Sequence, residues 1–357
     1  MTEDEDNEDE DLFAGLFTNE EYVEHKFDFM HEQEEEEQEE EELEQDHGGG
    51  DRSRSSSSNN SSSTSNSEGL TSISLEVLCS PSASTDHDLT GQVVWPVSVF
   101  LSWFIARNPS IFRGQTVLEV GAGCGLPGLV AARVGARTVC LTDGSKVVMR
   151  LLEKQKEFFE GQFDTNGSTG KVLAVPLEWG NKAGIDALRK SLNFSKEISG
   201  VESKGTATQE RVQIIVGADV VCWPVCVAPL LETVKALFLE LDFPYSGVMY
   251  IGYVCRATNT RDLFFTTARQ MGFKLEKVIP ESFLPLRRVA DDEEDHSGVN
   301  DRNHSGGSSN EKRRWPANIQ SKYDLELYRL SLDSSNSSAL DVPLFPGIPD
   351  GAYSLPY

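Results

Sequence analysis

Residues 116–128 of this chain read Thr-Val-Leu-Glu-Val-Gly-Ala-Gly-Cys-Gly-Leu-Pro-Gly. A short apolar run, Thr116 to Val120, ends in a turn with glycine at every second position: Gly121, Gly123 and Gly125. Pro127 then stands where proline is best tolerated, in the first turn of a helix. Glycine lacks a Cβ, so such a turn can adopt left-handed φ values and let a ligand approach the main chain. An ordinary strand-to-helix turn needs fewer glycines. The spacing is G-x-G-x-G, with Leu126 where the G-x-G-x-x-G of a dinucleotide fold would place its last glycine. A nicotinamide-dependent oxidoreductase is therefore disfavoured.

Asp143 is the second constraint. It lies 22 residues beyond Gly121, at the end of the next apolar run, Thr138 to Thr142. A carboxylate there can accept hydrogen bonds from the two hydroxyls of an adenosine ribose. Taken alone, it also reads as an acid at a helix N-terminus. Beside the glycine turn, the ligand reading is the stronger.

The rest of the body continues the strand–helix alternation. Pro96 opens a helix with Val97, Phe100, Leu101, Phe104 and Ile105 on one face, stopped at Arg107-Asn108-Pro109. Helices follow from Pro127 to about Val134 and from Ser145 to about Phe159, and a short strand from Val172 to Val175. Val212 to Val221 is almost continuously apolar, as in a strand buried on both faces. Pro224 opens a further helix, Val248 to Val254 is a strand, and Arg261 to Met271 is a helix closed by Gly272. Phe273 to Val278 and Tyr323 to Leu332 read as late strands on an antiparallel edge. The pattern predicts an α/β fold: a doubly wound, mostly parallel, seven-stranded sheet with helices on both faces. Ligands of such sheets bind beyond the carboxyl ends of the strands.

Charge divides the chain. Residues 1–54 hold 24 of the 58 acidic residues and three of the 32 basic ones, so most of the net charge of -26 belongs to one end. Residues 1–68, with the acidic block Glu32–Glu44 and a Ser/Asn-rich stretch, are expected to be a disordered tail. Leu12, Phe13, Leu16, Phe17, Tyr22, Val23, Phe27 and Phe29 place apolar residues among its acids. They suit either a short helix that docks on a partner or apolar residues in a tail that does not fold, and the composition favours the second. The expected domain is 69–333, interrupted by a polar, disordered insert at 287–314 and followed by an extended tail at 334–357.

Several function classes fall away. The body has no long Lys/Arg cluster, which disfavours direct nucleic-acid binding. No apolar run reaches the roughly 18–20 residues that span a bilayer, so no membrane partner is expected. All six histidines (His25, His31, His47, His87, His296 and His304) lie outside Leu89–Leu286, which argues against His-dependent nucleophilic catalysis and His-ligated metal. The six cysteines form no C-x-x-C pair, so no metal is expected, and a reducing compartment, cytoplasmic or nuclear, is.

Val117 to Gly128 resembles motif I of class I S-adenosylmethionine-dependent methyltransferases. More narrowly, the chain resembles the methyltransferase-like family of seven-strand protein lysine methyltransferases. Gly91-Gln92-Val93-Val94-Trp95-Pro96 is similar to that family's lead-in segment, and Leu141-Thr142-Asp143-Gly144 to its ribose-binding strand end. Leu177-Glu178-Trp179-Gly180 is similar to its segment beside the adenine, and Gly217-Ala218-Asp219-Val220-Val221 to its fourth-strand motif. The five motifs span roughly residues 89–286 and 322–332, and their order specifies a family rather than a substrate.

The resemblance implies S-adenosyl-L-methionine as cofactor and a protein lysine side chain as acceptor, with a basic protein as the candidate substrate. It implies that Gly121, Ala122 and Gly123 bring backbone to the methionine part of the cofactor, that Asp143 holds the ribose, and that Trp179 faces the adenine. Trp95 would help close the pocket, and Ala218 would be small because a larger side chain crowds the cofactor. Glu119 and Asp219 would favour the cationic sulfonium, with Asp219 orienting the acceptor amine. Both tryptophans also have a plain reading as core aromatics. Asp219 as an N-cap of the Pro224 helix fits poorly, because it lies too far upstream.

The chain departs from the family in two places. An aromatic is expected three residues after Asp219, and Cys222 stands there with Trp223 next to it. Either Trp223 fills the site through a one-residue shift, or the pocket differs. Gln155 stands where the family often has Asn. Tyr250, Tyr253 and Arg256 are candidates for a substrate channel, with sheet packing and a surface charge as the alternative. Two other functions stay open: a binding module whose acidic tail recruits basic partners, and a methyltransferase acting on a nucleic acid or small molecule. Oligomeric state has no signature in the sequence.

Overall fold

The computed structural model describes residues 22–29, 73–81, 90–163, 170–192, 212–240, 247–284, 287–288, 313–314, 319 and 324–333. Its centre is a seven-stranded sheet. Strand β3 (Thr116–Val120) leads through helix α2 (Leu126–Arg133) to β4 (Thr138–Asp143), and α3 (Lys146–Gln162) leads to β5 (Lys171–Pro176). After α4 (Lys182–Ser191) the chain returns to the middle as β6 (Val212–Ala218), then continues through α5 (Pro224–Glu240), β7 (Val248–Val254), α6 (Thr258–Gln270) and β8 (Phe273–Val278). Helix α1 (Pro96–Arg107) precedes β3, and the last strand is β11 (Leu325–Leu332).

The spatial order is β5-β4-β3-β6-β7-β11-β8. Strands β5, β4, β3, β6 and β7 pair in parallel, while β11 inserts antiparallel between β7 and β8. The expected doubly wound sheet with an antiparallel edge is therefore present. All five residues of β3 are buried, Thr116 and Glu119 included, as in a central strand covered on both faces. Residues of α1, α2 and α3 share one core (Phe100, Leu126, Leu151), while those of α4, α5 and α6 share the other (Leu188, Leu230, Phe264). Strand order reverses between β3 and β6. The switch point thus lies where Gly121 follows β3 and Asp219 follows β6, which is where open α/β sheets bind ligands.

The end nearest the acidic tail departs from expectation. Val23–Phe29 is a strand, β1, paired antiparallel with β2 (Ile73–Cys79), so the stretch 1–68 is not uniformly disordered and this part is no helix. Leu12 to Phe17 lie outside the described residues. In β2, Ile73, Leu75, Val77 and Cys79 are buried and the residues between them are not. That period-2 alternation is the pattern of a strand buried on one face, which is not among the strands expected above, and β1 (Val-Glu-His-Lys-Phe-Asp-Phe) carries a weaker one. The open edge of β2 is covered by α3. The Leu78 N–H donates to Gln155 Oε1 (2.7 Å), and Gln162 exchanges two hydrogen bonds with the Glu76 backbone (2.8 and 2.9 Å). Phe29 meets Trp103 of α1 edge-on, with ring centres 5.3 Å apart.

The insert begins and ends in a short pairing: β9 (Arg287–Arg288) lies antiparallel to β10 (Arg313–Arg314). The acidic run Asp291–Asp295 and the expected tail at 334–357 lie outside the described residues. No helix among the described residues is long and apolar enough to cross a membrane.

Candidate active site

The glycine turn is shaped by neighbours that leave no space for side chains. Gly121, Gly123 and Gly125 all have positive φ (59°, 53° and 77°). A Cβ on Gly123 would lie 2.9 Å from the Gly91 carbonyl oxygen, and one on Gly121 would lie 2.8 Å from Val220 and 3.0 Å from the Trp179 ring. The turn is closed by Ala122 N–H to Thr142 O (2.9 Å) and Gly125 N–H to Ala122 O (2.7 Å). Four of the five motifs are therefore already in contact with the glycine turn or its neighbours.

Asp143 ends β4 beside the turn. Its Oδ2 accepts from the Gly123 N–H (3.2 Å) and its Oδ1 from the Ser145 N–H (3.0 Å), at the start of α3. The carboxylate is partly exposed. Trp179 is brought to Gly121 from the β5 side. The Leu177 N–H donates to Asp143 O (2.9 Å), and the Gly180 N–H donates to Thr233 Oγ1 of α5 (2.8 Å). Trp95 immediately precedes α1, with its Nε1–H donating to Thr90 O (2.9 Å). Ala218 is the last residue of β6, buried and paired with Gly252 of β7.

Glu119 has a different place from the other candidates. It is buried beneath α2, and its Oε2 accepts from the Gly128 N–H (2.8 Å). A Cβ on Gly128 would come within 2.6 Å of that same oxygen. Burial pushes the carboxyl up to about 8, with Asp143 adding to the rise and the Gly128 bond opposing it. Glu119 is thus largely protonated at neutral pH. It fastens strand to helix, and its value as a negative charge toward a sulfonium is small while it stays neutral.

Asp219 lies at the far side of the switch point. It is the one non-glycine residue with positive φ among those described (60°), a conformation Asp tolerates better than most. Its N–H donates to Gly252 O (3.1 Å), which ends β6 sharply. Both carboxylate oxygens are taken in a bidentate pair with the Arg256 guanidinium, which follows β7. That guanidinium also lies over the Trp95 ring, 5.8 Å from its centre. Sequence reasoning had placed Arg256 only among channel candidates, because nothing in a linear sequence pairs residues 37 positions apart. Tyr250 and Tyr253 are not channel residues. Tyr250 packs against Phe104, and Tyr253 stacks on Phe264 in the core.

At the departure after Asp219 the structure places a thiol, not an aromatic, against the acid. Cys222 itself occupies the position beside the acid: its thiol donates to Asp219 O (2.7 Å) and lies 3.6 Å from Oδ1. Burial and the neighbouring Asp219 push that thiol up to about 12, so it is no nucleophile. Trp223, the next residue, is 56% exposed. Gln155 belongs to the β2 attachment rather than to the pocket. No cluster of three or more His, Cys, Asp or Glu residues suited to a metal occurs among the described residues.

The residues present fit an adenosyl cofactor. Glycine cradles that side chains would fill, a partly exposed strand-end carboxylate and an indole against the turn are grouped on one side of the switch point. Fold and site together define a class I S-adenosylmethionine-dependent methyltransferase. The model of the lysine methyltransferase family matches residues 83–194. The chain is 25% identical over 205 residues to the protein N-terminal and lysine N-methyltransferase efm7 of Schizosaccharomyces pombe, covering 56% of this chain and 71% of that one. It is 29% identical over 186 residues to the protein N-lysine methyltransferase METTL21A of Danio rerio (52% and 70% covered). It is 23% identical over 211 residues to the protein-lysine N-methyltransferase EEF2KMT of Mus musculus (57% and 56% covered).

Proposed function

We propose that this enzyme transfers a methyl group from S-adenosyl-L-methionine to a lysine side chain of a protein. The observation that carries the reading is the pairing of two half-sites at one switch point. The glycine turn with Asp143 and Trp179 makes the cofactor side, and Asp219 at the end of β6 makes the acceptor side. The names of the relatives support a protein amine as acceptor.

When bound, the cofactor supplies a methyl group on a cationic sulfur, displaced in line by a nucleophile. Such a transfer needs positioning and electrostatics rather than covalent help. In this reading Gly121, Ala122 and Gly123 present main chain to the methionine part. Asp143 accepts from the ribose hydroxyls, Trp179 packs on the adenine, and Trp95 and the small Ala218 shape the pocket between the two sides. Asp219, held by Arg256, uses its remaining lone pairs to accept an N–H of the incoming amine and aim its free pair. Neither the buried Glu119 nor the Cys222 thiol takes part in proton transfer.

The acidic run Glu32–Glu44 is read as a recruiter of basic substrate proteins, since opposite charge raises encounter rates. Because β1 is part of the fold, the recruiting role is tested by replacing those acids with Gln or Ser rather than by deleting residues 1–68: labelling of native substrates at low salt should fall, and unchanged labelling would remove the role.

The deciding experiment is tritium transfer from S-adenosylmethionine into lysate proteins, with and without nuclease, followed by mass spectrometry of the labelled band. Nuclease-resistant label on a lysine ε-amine is expected. Label on an α-amine would move the assignment to N-terminal methylation, which one relative's name includes. Label lost to nuclease would favour a nucleic-acid acceptor. No label, with normal cofactor binding, would favour the binding-module reading.

A further inference from the structure

The Asp219–Arg256 pair has a consequence for the state in which the amine enters. A lone carboxylate at the acceptor position would attract the ammonium form most strongly. That form cannot react, because its nitrogen lone pair holds a proton. Here the carboxylate is already balanced: its two oxygens meet the two nitrogens of Arg256 in fork-to-fork geometry. Arg256 is in turn braced on a second side by the Trp95 ring and reaches Cys222 Sγ at 3.7 Å. An arginine stays cationic at any pH a protein survives. The position next to Asp219 is therefore close to neutral overall, with a fixed positive charge at its rim.

We propose that Arg256 is a positioning residue that selects the neutral form of the acceptor amine. It fixes the Asp219 carboxylate for hydrogen bonding and opposes the ammonium form by like charge. The inference rests on the lysine methyltransferase reading above. It explains why an acid placed to aim an amine is not left as a bare anion. A neighbouring cation lowers the pKa of an amine, whereas an unpaired carboxylate raises it, so loss of Arg256 acts twice in one direction.

Among the described residues, the titratable groups that interact with this position are Cys222, just before α5, and, beside it, Cys226 in the first turn of α5. Cys222 stays protonated, held up by burial and Asp219, and burial likewise raises Cys226. Trp95, from the segment before α1, contributes an uncharged ring. The acid limb of the rate profile is thus set by the amine itself and by the Asp219–Arg256 pair.

The test measures initial rates of tritium transfer from S-adenosylmethionine into the main labelled band of a desalted lysate between pH 6 and 10. It compares the full wild-type chain with Arg256→Gln, Arg256→Lys and the double variant Asp219→Asn/Arg256→Gln. For Arg256→Gln, the acid limb of kcat should move up by about one pH unit. Its rate should fall about tenfold at pH 7 and return to within about threefold of wild type near pH 9.5, with no rise in KM for the protein band. Arg256→Lys keeps the charge and loses the fork, so its limb should stay at the wild-type position while its rate falls severalfold at every pH. The double variant removes both charges, and its limb should return toward wild type.

An Arg256→Gln profile that falls by the same factor at every pH would overturn the proposal, as would a loss confined to KM. If Arg256→Gln does not fold, the comparison of Arg256→Lys with the double variant decides. Equal limbs in those two and wild type support the inference, and a shifted Arg256→Lys limb overturns it. A wild-type chain that labels no protein amine would instead remove the lysine reading itself, a separate outcome.

Discussion

The two sides of the switch point are built in different ways. The cofactor side is mostly main chain, with three glycines at positive φ, backbone N–H groups and one strand-end carboxylate, all within residues 119–145 apart from Trp179. The acceptor side is made of side chains drawn from three separate places: Trp95 before α1, Asp219 and Cys222 after β6, and Arg256 after β7. A site made of main chain tolerates no added atoms. A site made of side chains tolerates exchange of its parts, provided that charge stays balanced. The first arrangement suits a ligand that never changes, and the second a substrate that differs from one enzyme to the next.

This contrast is broken most directly at Gly123. Gly123→Ala places a Cβ 2.9 Å from a backbone oxygen at a φ of +53°, and backbone cannot swing aside as a side-chain end would. Left-handed φ alone costs about 1–2 kcal/mol for a residue with a Cβ. Calorimetry should find cofactor affinity reduced by about 100-fold or more, a penalty near 3 kcal/mol. Gly114→Ala is the control: its φ is also positive (+72°), but nothing lies within 4 Å of the added carbon. It should cost about 1 kcal/mol of stability and leave affinity within twofold. Equal effects of the two would mean that strain, not a crowded cradle, governs the turn.

Asp219→Asn tests the other side. Asn accepts the left-handed backbone, so the change removes charge without refolding the turn. The rate of transfer should fall about 100-fold, as when one oriented polar group is lost from a reacting centre. Cofactor affinity should remain within about threefold by calorimetry. A parallel loss of affinity would show that the two sides are one unit and that the contrast is wrong.

The same contrast explains what was legible in the sequence. Main-chain sites leave local signatures: alternating glycines after an apolar strand, an acid 22 residues on, a proline at a helix start. The central strands were legible for a related reason, since burial on both faces demands near-continuous apolar runs such as Ile214 to Ala218. Asp219 was legible as a strand-end acid, but its partner was not, because the Arg256 pairing exists only once β6 and β7 lie side by side. Helix α4, with few apolar residues, was missed. So was β1, whose pairing with β2 depends on contacts across 43 intervening residues. Glu119 was read as an anion from its sequence position, and only burial reveals it as a largely protonated fastener.

That last point yields a smaller effect, on stability rather than rate. The folded-state pKa of Glu119 lies above its unfolded value, about 8 against 4.5. The neutral form is the one the fold prefers. Its contribution is fully present below about pH 4.5 and is lost as pH rises through about 8, at a limiting slope near 1.4 kcal/mol per pH unit. Denaturant titrations of Glu119→Gln should therefore show a flatter decline between pH 5 and 8 than wild type, since Gln still offers an oxygen to the Gly128 N–H. Identical slopes would mean that water reaches the carboxyl and that it is ionised in the fold. Glu119 would then join the charges around the sulfonium.

The smallest effect on activity should come from Gln155, although it stands in the stretch that resembles the family. Its Oε1 accepts from the Leu78 N–H, on the open edge of β2, and the residue is fully buried. Gln155→Leu fills a similar volume but leaves that buried N–H without its acceptor, which costs about 1–3 kcal/mol. The loss falls on the attachment of the β1–β2 ribbon to α3, far from both half-sites in the hydrogen-bond pattern. Amide exchange at Leu78 should accelerate by about tenfold or more, while methyl transfer stays within twofold at 25 °C. The ribbon is thus expected to loosen at Leu78 without opening the site, because the Leu78–Gln155 bond and the Cys79–Cys124 contact that reaches the glycine turn are made by separate residues. Should transfer collapse with the ribbon, two contacts of β2 can carry the coupling: Ser80, whose N–H donates to Gln92 O at 2.7 Å, and the Cys79 thiol, which hydrogen-bonds with Cys124 of the glycine turn. Ser80→Pro, which removes the first donor, and Cys79→Ala, which removes the second, would then tell which of them reproduces the loss with Gln155 intact.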